Sequence, residues 1–322
     1  MNEISAFNLH ALQRPEKSDP KKGRPHRELN AHEHQFMSIK LHNMSKAPDA
    51  ALFHHPQGAN QKCLPALFNG SDMLRVIGEE QDIRSAINSF NSSYHEDFFR
   101  VREISKAYLA TLTPHNAELL ADVLRNALLN WGAGSRKAPI LHLPAEAAAG
   151  LCNPNLHAKL VRFDNHQLGA FALSSEDRRI FTTEGMYPSA VHFDAELLGV
   201  LRMLADALFA NNTNVTYPMK ALLLITGFMP ALDSQVRNGL KHAGFRGFSS
   251  TQYLLPSDTL KAAGQKLCRL PFSLGHCWGQ NKELLIKAVQ KSDHPALQVE
   301  PGRVFDILLF MQQDPSRKLI AL

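Results

Sequence analysis

From about Val76 onward, the apolar residues of this chain recur at the helical period, and no series of strands alternates with them. The clearest case begins at Thr113-Pro114, a capping residue followed by a proline at the first helical position. Leu119, Leu120, Val123, Leu124, Ala127 and Leu128 then line one face, and Trp131-Gly132 ends the helix. The same reasoning predicts helices near residues 95–110, 144–151, 154–161, 194–210, 217–225, 233–243, 257–268, 281–291 and 302–313. Residues 171–183 suit a short strand pair. The expected fold is therefore mostly α. It is a multi-helix globular domain over residues 61–322, either one body or two lobes with a cleft between them.

Residues 1–60 differ in character. Seven of the sixteen histidines lie between His10 and His55, in polar, turn-prone sequence without sustained periodicity, so a flexible N-terminal arm is expected. His32, His34, His54 and His55 have no cysteine or carboxylate partner at ligand spacing, and no metal is expected there. Lys21, Lys22, Arg24 and Arg27 read as a solvated charge run.

Composition narrows the function classes. At 44% hydrophobic residues the chain can build a core, yet no apolar run reaches the ~18 residues that a membrane span needs. The N-terminus has no apolar stretch leading to a small-residue cleavage site, which leads us to expect a cytoplasmic protein. Four scattered cysteines form no disulfide framework. Cys268, His276 and Cys277, even with Cys152 and His157, match no common zinc spacing. A formal charge of +5 is compatible with an anionic partner such as nucleic acid.

Residues 216–240 carry the sharpest signal. Met219, Leu222, Leu223 and Ile225 give an apolar helix that Thr226-Gly227 ends, and Pro230 forbids its continuation. Asp233-Ser234 then opens the next helix. Asp233 is either the acceptor that the free N–H groups of a helix start require, or a carboxylate aimed into a cleft. Phe228 and Met229, just before it, are core residues or a wedge.

Asp233-Ser234, with Val236 and Arg237 following and Lys220 on the preceding helix, resembles the catalytic end of the helix-hairpin-helix DNA glycosylases. About 25 of the 322 residues carry the resemblance. The superfamily's Leu-Pro-Gly-[Val/Ile]-Gly hairpin is replaced by Ile225-Thr226-Gly227, which follows Lys220 rather than preceding it. No four-cysteine cluster is present, so the resemblance is not to the iron–sulfur members. It implies DNA as partner, Asp233 and Lys220 as catalytic residues, and neither metal nor nucleotide cofactor. A carboxylate beneath a sugar would stabilise the oxocarbenium character that builds as an N-glycosidic bond breaks.

Trp131, Gly132, Gly134, Ser135, Arg136 and Lys137 offer backbone N–H groups, a hydroxyl and two cations in one short loop. With Arg237, they are the candidate nucleic-acid contacts; a glycine helix cap flanked by solvated basic residues is the alternative. Arg303, Asp306 and Gln313 fall near one face of the last helix and are expected to face water; the alternative is a buried Asp306, which would need a partner and have a perturbed pKa. Two readings result. In a base-excising enzyme, Asp233, Lys220 and the 131–137 loop converge on one cleft. In a non-catalytic nucleic-acid-binding or interaction protein, Asp233 is a cap with no accessible pocket beside it.

Overall fold

The computed structural model describes residues 73–135, 138–211, 214–248 and 262–322, all within one compact unit of residues 64–322. The expectations for the N-terminal arm, and for Arg136 and Lys137, lie outside the described residues. β1 (Arg75–Val76) leads into α1 (Glu80–Ser89), α2 (Ser92–Ala110), α3 (Pro114–Asn130), α4 (Pro144–Leu151) and α5 (Pro154–Asn165). A 3-10 turn (Leu168–Ala170) precedes β2 (Phe171–Leu173) and β3 (Arg179–Phe181). Then come α6 (Ala190–Leu208), α7 (Thr216–Thr226), α8 (Ser234–His242), α9 (Ala262–Gln290), a 3-10 turn (Pro295–Val299), α10 (Pro301–Met311) and β4 (Ile320–Ala321).

The fold is mostly α, and β2 and β3 form the expected antiparallel pair, Ala172 opposite Ile180. β1 and β4 pair antiparallel across almost the whole domain, Val76 opposite Ile320. Two-residue strands have no period to read, so this closure was not legible in the sequence. Among the described residues, no helix is long and apolar enough to cross a membrane.

Helix starts follow their caps. Thr113 Oγ1 accepts from the Asn116 N–H at 3.1 Å, and Asn153 Oδ1 accepts from Asn155 and Leu156. In α3 the buried stripe is Ala117, Leu120, Ala121, Leu124, Ala127 and Leu128, and Leu119 stays exposed. Helix α1 was not separated from the periodic stretch after Val76.

Of the two expected helices, 281–291 begins at a real break, because α9 is two helical segments that meet at a kink at Asn281. The first segment runs on past the expected end at 268 and contains Pro271. Residues 257–261 lie outside the described residues. An interior proline costs ~3 kcal/mol. Leu267, Leu270, Phe272 and Leu274 are buried around it, each contributing about 1.5–3 kcal/mol, so packing overrides the local penalty.

Helices α7 and α10 are buried on every side over most of their length: residues 218–226 and 301–309 are all buried. α8 crosses α10 so closely that a Cβ on Gly239 would strike the Leu309 carbonyl. Beside this crossing, Gln312 holds the C-terminal strand. Its amide donates to the Gly239 and Ile320 carbonyls, and its oxygen accepts from the Leu319 and Ile320 N–H groups. At the end of α7, Arg102 donates to the Ile225 carbonyl and pairs with Asp164 and Glu300, each at 2.9 Å. These anchors set the path of residues 227–233, which connect α7 to α8.

Candidate functional site

A helix buried all round has no wet face, so any charged side chain on it needs a partner inside the protein. Lys220 on α7 and Arg303 and Asp306 on α10 are such side chains, and they line one cavity of about 220 Å³. Phe90, Tyr94, Trp131 and Phe310 form its aromatic walls, and Ala231, Asp233 and Gln235 complete it.

Asp233 is the N-cap of α8. Its Oδ1 accepts from the N–H groups of Gln235 and Val236, both at 3.0 Å. Oδ2 lies 3.7 Å from the Lys220 ammonium. Lys220 is buried, donates to the Trp131 carbonyl at 2.7 Å and lies 5.0 Å from the Tyr217 ring centre. Burial pulls the Lys220 ammonium below the usual lysine range, and the Asp233 and Asp306 carboxylates pull back.

Arg303 Nη1 donates to Asp306 Oδ2 at 2.6 Å, and Nη2 donates to the Tyr94 carbonyl at 3.0 Å. The rings of Phe90, Phe98 and Trp131 lie 4.9, 5.1 and 4.9 Å from the guanidinium carbon. Ring faces and a carboxylate replace the water this cation has lost. The second Asp306 oxygen accepts from the Ala231 N–H at 3.0 Å. Burial pushes the Asp306 carboxyl up to about 6, with Arg303 opposing. The Trp131 indole is held from outside by a 3.1 Å hydrogen bond to Asp97.

Lys220, Asp233 and Trp131 thus meet at one cavity. The rest of the predicted set does not join them. Gly132, at φ 96°, and Ala133 donate to the Leu129 and Leu128 carbonyls, the pair of hydrogen bonds that closes a glycine-ended helix. Gly134 and Ser135 donate to Pro139 and Gly132. The four N–H groups are committed within the chain, which removes the physical basis for an anion cradle there. Arg237 is buried at 8% exposure, inside rather than on a surface where phosphates pass. Phe228 and Met229 are fully buried, so they are core and not a wedge. Arg303 and Asp306, expected to face water, are interior. The signal available was that every position around this pair (Val304, Phe305, Ile307, Leu308, Leu309) is apolar, which leaves no polar face. Cys268 and Cys277 are buried thiols, and among the described residues no group of His, Cys, Asp and Glu is placed to hold a metal ion.

No family model matches this chain, and no solved structure matches it. The human histone-lysine N-methyltransferase SMYD1 is 29% identical over 124 residues, 37% of this chain and 24% of that protein. The likeness therefore spans about a quarter of the curated relative's length. The expected membership in the helix-hairpin-helix DNA glycosylases is corrected by these comparisons, which find no member of that superfamily. The geometry gives a physical reason for the misreading. Gly227 is a left-handed cap at φ 68°, and the residues after it turn into the core instead of forming an exposed glycine hairpin.

Proposed function

We propose that this protein is a hydrolase acting on DNA that takes one base into the cavity and cleaves its N-glycosidic bond. The observation that carries this reading is the meeting of Asp233, Lys220 and the Trp131 wall at a single base-sized cavity. At about 220 Å³ it falls below the ~300 Å³ at which drug-sized ligand pockets begin, so one ring system enters while sugar and phosphate stay outside. A base that leaves the stack is received by aromatic walls in other proteins, and Phe90, Tyr94, Trp131 and Phe310 are suited to that task.

In this reading Asp233 works with its two oxygens separately. Oδ1 is fixed by the α8 N–H groups, and Oδ2 faces the sugar carbon from which the base departs. As the C–N bond breaks, the carboxylate stabilises the positive charge on the sugar and accepts a proton from water. The water hydroxyl joins the sugar carbon, and the proton taken up by Asp233 returns to solvent as the departing base takes one from it, so one water is added across the broken C–N bond. Lys220 is a positioning residue, held by the Trp131 carbonyl and placed 3.7 Å from Asp233 Oδ2. The chemistry calls for neither metal nor nucleotide cofactor. The unpaired thiols Cys152, Cys268 and Cys277 suit a reducing, cytoplasmic setting.

A second reading, nucleic-acid binding without catalysis, draws on the cap: Asp233 Oδ1 already has a complete structural role. Base release from duplexes carrying normal, damaged and modified bases, measured for the native protein and Asp233→Asn, separates the two. Abasic sites made by the native protein and not by the folded variant support the enzyme. No release from any substrate overturns it in favour of binding.

A further inference from the structure

We propose that residues 291–300, which join α9 to α10, form a strap that acid releases: His95 cannot hold a proton while His294 covers it, so the strap lifts as the pH falls. The release is independent of any chemistry in the cavity.

The geometry around His95 leaves no room for a charge. On α2, His95 is 1% exposed. Its Nε2 meets the Ile87 carbonyl at 3.3 Å, and its Nδ1 is buried with no hydrogen-bond partner among the described residues. From α1, Phe90 packs edge-on at 5.2 Å. From α10 comes the charge of Arg303, which Asp306 shares. From the strap comes His294, whose ring stacks on His95 at 3.8 Å between centres. An imidazolium has two N–H groups to place, and here the second has no acceptor. The carboxylate on the strap, Asp293, acts on His294. Burial, then the Arg303 charge and His294, hold the His95 imidazole down to about 3, and the Ile87 carbonyl pulls back.

The strap is attached by few bonds. The Asp293 N–H donates to Asn88 Oδ1 at 3.0 Å, and the His294 N–H donates to Ser292 Oγ at 3.1 Å. Pro295–Val299 is one 3-10 turn, a geometry with poorer hydrogen bonds than an α-helix. Leu297 is buried beneath it, while Val299 is 68% exposed, so its outer side faces water. Glu300, paired with Arg102, fixes the far end. When the strap lifts, His95 meets water and regains the ordinary imidazole value of 6.5. The lifted state therefore binds the extra proton, and acid favours it from about pH 6.5 downwards. Phe90 lines the cavity and has His95 at its back, so the strap also supports that wall.

Amide hydrogen exchange of the full chain, corrected for the intrinsic effect of pH, reads the lifting. The reporters are the N–H groups of Asp293, His294, Leu297 and Glu300, each hydrogen-bonded in or beside the strap. Between about pH 6 and pH 4 their protection is expected to fall about tenfold per pH unit, the signature of one proton. Amides of α3 are expected to keep theirs. His95→Phe retains a ring under His294 and should level the profile, whereas His294→Phe should preserve it. Protection that ignores pH, that falls equally in α3, or that still follows pH in folded His95→Phe overturns the inference. If His95→Phe does not fold, His294→Phe decides, because a level profile there assigns the proton to His294 instead.

Discussion

Arg303 and Asp306 form a 2.6 Å ion pair one turn apart on a helix with no exposed face. The pair is the floor of the cavity, and each partner also ties down a different part of it: Arg303 the Tyr94 carbonyl, Asp306 the Ala231 N–H. Breaking such a pair leaves a buried charge uncompensated, which is usually worse than having no pair at all. Arg303→Met is expected to destabilise the protein by about 3–5 kcal/mol, and adding Asp306→Leu to recover much of that loss. Urea unfolding of the two single variants and the double gives the coupling. Additive losses would mean that the pair does not act as a unit.

Asp233→Asn separates chemistry from capping. Asparagine caps a helix about as well as aspartate, so the melting temperature should move little. It cannot stabilise a developing positive charge, and base release should fall by about 10²–10³-fold or more. Asp233→Ala should lose activity and about 1 kcal/mol of stability together. An active Asp233→Asn protein would remove Asp233 from the chemistry.

His95 predicts how stability depends on pH. Burial, with the nearby Arg303 charge, holds its imidazole down to about 3, against 6.5 unfolded, and it stacks on His294 at 3.8 Å. A depressed histidine leaves the unfolded chain binding more protons, so its contribution is present above about pH 6.5 and is lost as pH falls towards 3. Asp306 acts in the opposite sense, because its folded value of about 6 lies above the unfolded 3.8. Its contribution is present below 3.8 and lost as pH rises through 6. Replacing His95 by Phe, which keeps a ring against His294, should remove only the acid-side loss. Denaturant unfolding at about pH 7 and pH 4 checks this, and parallel losses in variant and native protein would refute it.

Gln312 makes four hydrogen bonds at 1% exposure. Gln312→Leu keeps the volume but strands the Leu319 and Ile320 N–H groups and two carbonyls. A loss of about 3 kcal/mol is expected. Amide hydrogen exchange should quicken first at β1 and β4, since this side chain ties the C-terminal strand to α8. Unchanged protection there would count against that role.

The elements of this fold were legible wherever local chemistry determines them. Thr113-Pro114, Asn153-Pro154 and Asp233 announce helix starts, Gly132 and Gly227 announce ends, and residues 171–183 pair as their pattern suggests. Lys220 and Asp233 could be singled out because they flank a loop whose Gly and Pro leave few alternatives. Other features could not be read this way. α9 runs through Pro271 because burial around it outweighs a local penalty. Arg303 and Asp306 look like a wet stripe on one helix and become the floor of a cavity only because neighbouring helices cover α10 on every side. Caps and periods depend on residues a few positions apart, so they are written in order along the chain. Burial, and with it the pairing and pKa of a charge, depends on which distant segments pack there, and that is decided only when the whole core closes.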